Sequence, residues 1–149
     1  VLIKDSNNED DWARSARKYS SSNEASGPQA DWRREIDLSE YIPSDGANIK
    51  ISVHYDMKTS RSTSIFDGGL YLYDNTIVSD ANFLMKHIDS VSSTSWKSFS
   101  FTADLSIRTS RLFFCYYAKK TNSDKEHSYL YFKNFYVDLT HHDTTNLYL

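Results

Sequence analysis

The sequence predicts an all-β fold, a β-sandwich built from two antiparallel sheets. In the last long apolar segment, gaps of two, three and two positions separate Leu130, Phe132, Phe135 and Val137. Period two is the pattern of a half-buried strand, and the single longer step is typical of a β-bulge. The segment Ile49–Met57 alternates without interruption. Because no apolar stripe with helical spacing accompanies these patterns, strands are expected throughout.

Nine strands are expected along the chain, and each contains aliphatic or aromatic residues that favour strands. Clusters of Ser, Asn, Asp and Gly separate them, as is typical of turns. In chain order the strands are Leu2–Lys4, Ala13–Tyr19, Trp32–Asp37, Ile49–Met57, Gly69–Asp74, Phe83–Ile88, Trp96–Thr102, Leu112–Ala118 and Tyr129–Leu139. Eight or nine short strands are enough for the two sheets of a sandwich.

The middle and the end of the chain repeat one order of elements. Residues 32–75 and 96–134 each contain a strand ending in Asp-Leu-Ser, a long strand, a polar loop and an aromatic strand. Two halves of this kind can each supply strands to both sheets, which predicts a jelly roll. We expect one domain over residues 1–140, followed by a tail or the start of a further segment over 141–149.

Composition excludes several classes of function. The 149 residues include 17 Lys and Arg against 20 Asp and Glu, so the net charge is −3 and no nucleic-acid partner is expected. No apolar stretch approaches the ~18 residues of a transmembrane helix, so no membrane insertion is expected.

The single cysteine, Cys115, lies in an apolar run and is expected to be a buried core residue. Aromatic residues make up 15% of the chain, which suits both strands and binding surfaces.

Three motifs precede the bulged ending. Trp32 stands ahead of Ile-Asp-Leu-Ser-Glu-Tyr-Ile, residues 43–53 read Pro-Ser-Asp-Gly-Ala-Asn-Ile-Lys-Ile-Ser-Val, and residues 94–102 read Thr-Ser-Trp-Lys-Ser-Phe-Ser-Phe-Thr. In this order they resemble the jelly-roll carbohydrate-binding modules that bind xylan and glucan, members of the galactose-binding-like β-sandwiches. The resemblance implies a non-catalytic domain that binds a polysaccharide or oligosaccharide. It also implies an extracellular or surface location and a place beside other domains of a longer polypeptide.

The family usually carries a structural calcium ion, held in part by the first Asp of the bulged ending. In this chain Lys133 occupies that position, while Asn134 is retained. A lysine cannot ligate calcium, and its charge repels the ion. Acidic residues near the N-terminus, such as Asp10 and Asp11, could supply carboxylates, but a solvated loop is expected there. We therefore expect no bound metal and no cofactor.

A carbohydrate site needs flat aromatic rings with hydrogen-bonding groups around them. In the strand at residues 69–74 the two leucines are expected to face the core. Tyr71 and Tyr73 then emerge together on the opposite face, about 7 Å apart. Tyr129 and Tyr131 repeat this pattern on the closing strand. The alternative for both pairs is an outer face covered by a loop or a partner.

The other candidate binding residues come from the central strand and the first third of the chain. His54 is expected to face away from the aliphatic residues of its strand, where it can donate or accept a hydrogen bond. The resemblance adds Trp32 as a stacking residue and Arg17 as a cleft residue, and Trp12 is either a core residue or a rim residue. Trp96 is expected to pack structurally, ahead of two inward-facing phenylalanines.

No catalytic motif is found, so the chain is not expected to be an enzyme. The leading hypothesis is non-catalytic carbohydrate binding through aromatic stacking and polar rim residues on one face of the sandwich. The alternative is a structural or adhesion module of a larger surface assembly, such as a phage tail fibre or a cell-surface protein. In that case the same rings contact neighbouring subunits.

Overall fold

A computed structural model describes residues 2–3, 12–17, 33–75, 82–122 and 128–142, with side chains over 33–75, 82–122 and 128–140. Every regular element in these ranges is a strand. The strands are β1 (Leu2–Ile3), β2 (Trp12–Arg17), β3 (Arg33–Asp37), β4 (Ala47–Thr59), β5 (Phe66–Tyr73), β6 (Met85–Val91), β7 (Lys97–Ile107), β8 (Arg111–Lys120) and β9 (Ser128–His142). Within the described ranges, nothing helical is long and apolar enough to cross a membrane.

The strands form two antiparallel sheets. Sheet A has the order β1-β9-β4-β7, with β2 also paired to β9, and sheet B has the order β3-β8-β5-β6. Apart from the short β1, this arrangement of eight strands is that of a jelly roll. The predicted fold class is confirmed.

The two halves predicted from the repeated pattern interlock. The middle strand of the first half, β4, lies between β7 and β9 of the second half. The middle strand of the second half, β8, lies between β3 and β5 of the first. Each half therefore contributes strands to both sheets, as expected from the sequence.

The core lies between the sheets and is built from alternate residues of each strand. On β4 the inward side chains are all at most 3% exposed: Ile49, Ile51, Val53, Tyr55 and Met57. Aromatic residues join the sheets, since the rings of Tyr116 on β8 and Phe132 on β9 stack with centroids 4.3 Å apart. Burying side chains of this size contributes roughly 1.5–3 kcal/mol each, so the core is the main source of stability.

The predicted bulge is present in β9. Lys133 pairs with Asp56 and Tyr136 pairs with His54, so three steps along β9 match two along β4. Asn134 takes up the extra residue with a φ of 54°. Because of this bulge, Phe132 and Phe135 both point into the core.

The closing strand is longer than expected. It runs to His142, and its last two residues pair with the start of β4: His141 with Lys50 and His142 with Ile49. The first two residues of the expected tail thus continue sheet A.

Candidate functional site

The outward residues of β4, β7 and β9 form one surface, which we call the sheet A face. Burial alternates along β4, so the side chains between the core residues point to this face: Lys50, Ser52, His54, Asp56 and Lys58. Residues directly opposite each other in antiparallel strands share a face. The pairing of the strands therefore places outward residues side by side in rows across the sheet. The two central rows are Tyr136–His54–Ser100 and Lys133–Asp56–Ser98. The expected outward orientation of His54 is confirmed.

The centre of the sheet A face is a hydrogen-bonded polar group around Asp56. Asn134 donates from Nδ2 to one carboxylate oxygen at 2.6 Å, and Ser98 donates from Oγ to the other at 2.9 Å. Asn134 is the bulge residue, and its left-handed backbone directs its side chain toward β4. The result is a fixed cluster of carboxylate, amide and hydroxyl groups on an open strand surface.

Next to this polar centre lies a cluster of rings and lysines. The Nζ of Lys133 is 4.4 Å from the ring centroid of Trp96, and the Nζ of Lys58 is 4.8 Å from the same centroid. Lys58 also lies 5.5 Å from the ring centroid of Tyr131, whose ring is 6.2 Å from that of Tyr129. Ammonium groups over ring faces are attracted by the quadrupole of the ring. These contacts order the partly exposed rings of Trp96, Tyr129 and Tyr131.

On the other side of the polar centre, His54 stacks on Tyr136. Their ring centroids are 4.5 Å apart and the planes differ by 19°. Both side chains are partly exposed. This stack gives the sheet A face a second flat element, and the imidazole nitrogens are hydrogen-bonding groups within it.

Tyr71 and Tyr73 were expected to be exposed, and this expectation is wrong. They do lie on the outer face of sheet B, opposite Leu70 and Leu72, but they are only 6% and 0% exposed. Rings pack against them there. Phe83 meets Tyr71 edge-on at 5.0 Å, and Tyr117 lies 5.4 Å from it. The alternation of residues along a strand predicts which face a side chain occupies. It does not predict whether that face is exposed to solvent or covered, because the alternation is the same in both cases.

The candidates from the first third of the chain are only partly described. Trp12 stands opposite Lys133 and Arg17 stands opposite Ser128 in the register of β2 with β9. Their side chains, and Trp32 as a whole, lie outside the described residues. Their roles in binding therefore stay predictions.

Most of the ring and lysine cluster was not predicted from the sequence. Lys58 continues the outward alternation of β4 by one step, so its face could have been predicted. Trp96 was expected to pack structurally, but it is partly exposed beside two lysines. Lys133 was predicted to replace a calcium ligand and to lie beside the tyrosine pair of its strand. The contact of these residues depends on pairing between strands that are far apart in sequence.

The described residues do not fit a calcium ion at the position that the resemblance implies. The ammonium of Lys133 points to Trp96 there, and the amide of Asn134 is bonded to Asp56. Over residues 33–75, 82–122 and 128–140, no group of three or more His, Cys, Asp or Glu side chains is arranged to hold a metal.

Cys115 is buried, as expected, on the outer side of sheet B beside Tyr71, Tyr73 and Phe113. Burial raises the pKa of its thiol to about 11, since the thiolate would lose its hydration. The thiol is therefore protonated near neutral pH and lies away from the sheet A face.

No protein-family model and no curated protein sequence matches the chain. Among solved structures, the C-terminal domain of EclA, a sugar-binding protein, has a TM-score of 0.51 at 6% identity, over 87% of this chain and 80% of that one. A CBM4 structure has a TM-score of 0.49 at 13% identity, over 94% and 95%. The CBM22-1 xylan-binding domain of Paenibacillus barcinonensis Xyn10C has 0.46 at 12% identity, over 93% and 92%.

Several of the similar structures are carbohydrate-binding modules, as the sequence predicted. The EclA domain, with a TM-score of 0.51, shares the fold of this chain. At these identities a shared fold does not carry a shared function, which has to be argued from the site.

Proposed function

We propose that this chain is a non-catalytic carbohydrate-binding domain that holds a glycan against the sheet A face. The observation that carries the proposal is the set of partly exposed rings, Tyr129, Tyr131 and Trp96, beside the polar groups of Asp56 and Asn134. Sugars present apolar C–H faces bordered by hydroxyl groups, and this surface offers partners for both. A domain of this kind would act outside the cell or on its surface, within a longer polypeptide.

The affinity expected from this surface is modest. A ring that covers roughly 60–80 Å² of sugar contributes about 1.5–2 kcal/mol. Trp96 lies under two ammonium groups, so only the two tyrosine rings are counted, and they contribute about 3–4 kcal/mol in total. Hydrogen bonds add to this, while ordering the glycan opposes it. The expected Kd is therefore between about ten micromolar and one millimolar. Loss of one ring should weaken binding about tenfold.

Affinity electrophoresis and isothermal titration against a panel of polysaccharides test the proposal. We expect at least one polymer to retard the chain, and Tyr131→Ala to weaken this binding about tenfold. Tyr117→Ala is the matched control, because it removes a ring from the outer face of sheet B. All variants must first unfold cooperatively. The proposal fails if no polymer retards the chain. The assignment of binding to the sheet A face is wrong if only the sheet B variant loses binding.

The structural or adhesion role stays a prediction, and light scattering separates it from free binding. A carbohydrate-binding domain of this design is expected to be monomeric, with its rings open to the glycan. A stable dimer or trimer in which Tyr131→Ala breaks the contact would favour the assembly role instead.

A further inference from the structure

We propose that the glycan held on the sheet A face is acidic, with carboxylate or sulfate groups that pair with Lys58 and Lys133. The inference rests on the proposed function and narrows it to a class of ligand. It starts from the two ammonium groups that converge on one indole ring, 4.4 Å and 4.8 Å from its centroid.

Within the described part of the chain, neither of these two lysines forms an ion pair. The carboxylate in the row of Lys133, Asp56, keeps its negative charge but has its two oxygens bonded to Asn134 and Ser98. Two ammonium groups held near one ring repel each other. An anionic group that reaches these ammonium groups reduces this repulsion and gains charge-assisted hydrogen bonds.

The position of the lysines also disfavours a neutral sugar. Both ammonium groups lie over the ring of Trp96, so a neutral sugar that stacks on this ring must displace at least one of them. Displacing an ammonium group costs its cation–π attraction to the ring, and a neutral sugar offers that group no negative charge in exchange. Lys58 also lies over Tyr131, so an acidic sugar binds the ammonium groups there and can place its apolar C–H face on the adjacent ring of Tyr129. The chain as a whole carries a net charge of −3, so attraction to an acidic polymer has to be local.

The test compares acidic polysaccharides with neutral counterparts of the same backbone. The probes are polygalacturonate, alginate and hyaluronan, each with its carboxyl-reduced form, and dextran sulfate with dextran. One exposed ion pair increases affinity by up to about fivefold. With one or two such pairs, we expect at least one acidic polymer to bind about five to twenty-five times more tightly than its neutral counterpart at low salt. This preference should shrink as salt is added.

Charge-removing variants locate the effect. Combining Lys58→Gln with Lys133→Gln should abolish the preference for the acidic polymer. Lys86→Gln is the matched control, because Lys86 also lies over a ring, 5.7 Å from the centroid of Tyr71, but on sheet B. It should leave the preference unchanged.

The outcomes are distinguishable. Binding to neutral polymers only, or equally to both members of a pair, overturns the acidic ligand and leaves the proposed function standing. A preference that survives loss of both lysines, or that falls equally with Lys86→Gln, overturns the assignment to this cluster. If no polymer binds, the proposed function fails and the inference fails with it.

Discussion

Asn134 offers a sharp test of the bulge that shapes the sheet A face. Its φ of 54° lies in the left-handed region, where glycine is tolerated and most other residues are strained. Its amide also donates to Asp56. We predict that Asn134→Gly is more stable than Asn134→Ala. This reverses the usual order in strands, where glycine is the weaker residue by roughly 0.5–1 kcal/mol.

The magnitudes follow from three contributions. Both variants lose the exposed hydrogen bond to Asp56, which contributes about 0.5–1.5 kcal/mol. Alanine also carries the strain of the left-handed conformation, roughly 1–2 kcal/mol. Glycine instead loses more backbone freedom on folding, roughly 0.5–1 kcal/mol. We therefore expect Asn134→Gly to cost about 1.5–2 kcal/mol and Asn134→Ala about 2–3 kcal/mol. For a chain of this size, 1 kcal/mol changes Tm by about 2–4 °C.

Urea denaturation followed by circular dichroism measures the difference, provided that the m-values agree. Thr102 supplies the control. It lies exposed in regular strand on β7 and shares a hydrogen bond with Ser52 at 3.2 Å. Thr102→Ala and Thr102→Gly both lose that bond, so alanine should be the more stable of the two by about 0.5–1 kcal/mol. If the alanine variant is the more stable one at position 134 as well, the backbone there is not strained by a side chain.

Three further predictions concern pH, reactivity and metal. Burial alone would raise the pKa of Asp74, which is 2% exposed, but hydrogen bonds from Arg108 hold that pKa below its ordinary value. The carboxylate therefore stabilises the fold above the unfolded pKa of about 3.9, and this is lost as the pH falls through the lower, folded pKa. Because Arg108 is 79% exposed, the loss should be at most about 1 kcal/mol, and Asp74→Asn should remove it in acid titrations of stability. Cys115 should not react with a thiol reagent at about pH 8 until urea unfolds the chain, and rapid labelling of the native protein would contradict its burial. Calcium at about 1 mM should leave Tm unchanged, because a lysine stands at the ligand position, and a rise of several degrees would show that a site exists.

The two tyrosine pairs show how far local pattern reaches. Tyr71–Tyr73 and Tyr129–Tyr131 have the same spacing between core residues, and each pair lies on the outer side of its sheet as expected. One pair is buried under further rings and the other is partly exposed. Nothing in either strand distinguishes them, because the covering rings include Phe83 and Tyr117 from two other strands or their flanks.

The sequence by itself determined the strands, the faces of their side chains and the place of the bulge. These features are local, since successive side chains in a strand point to opposite sides and one inserted residue shifts that alternation. Only the tertiary structure decided which outer face stays open and which residues meet there. Lys58, Trp96 and Lys133 become neighbours through the pairing of β4 with β7 and β9. Register between distant strands is set by packing of the whole core, so no single segment of the chain encodes this cluster.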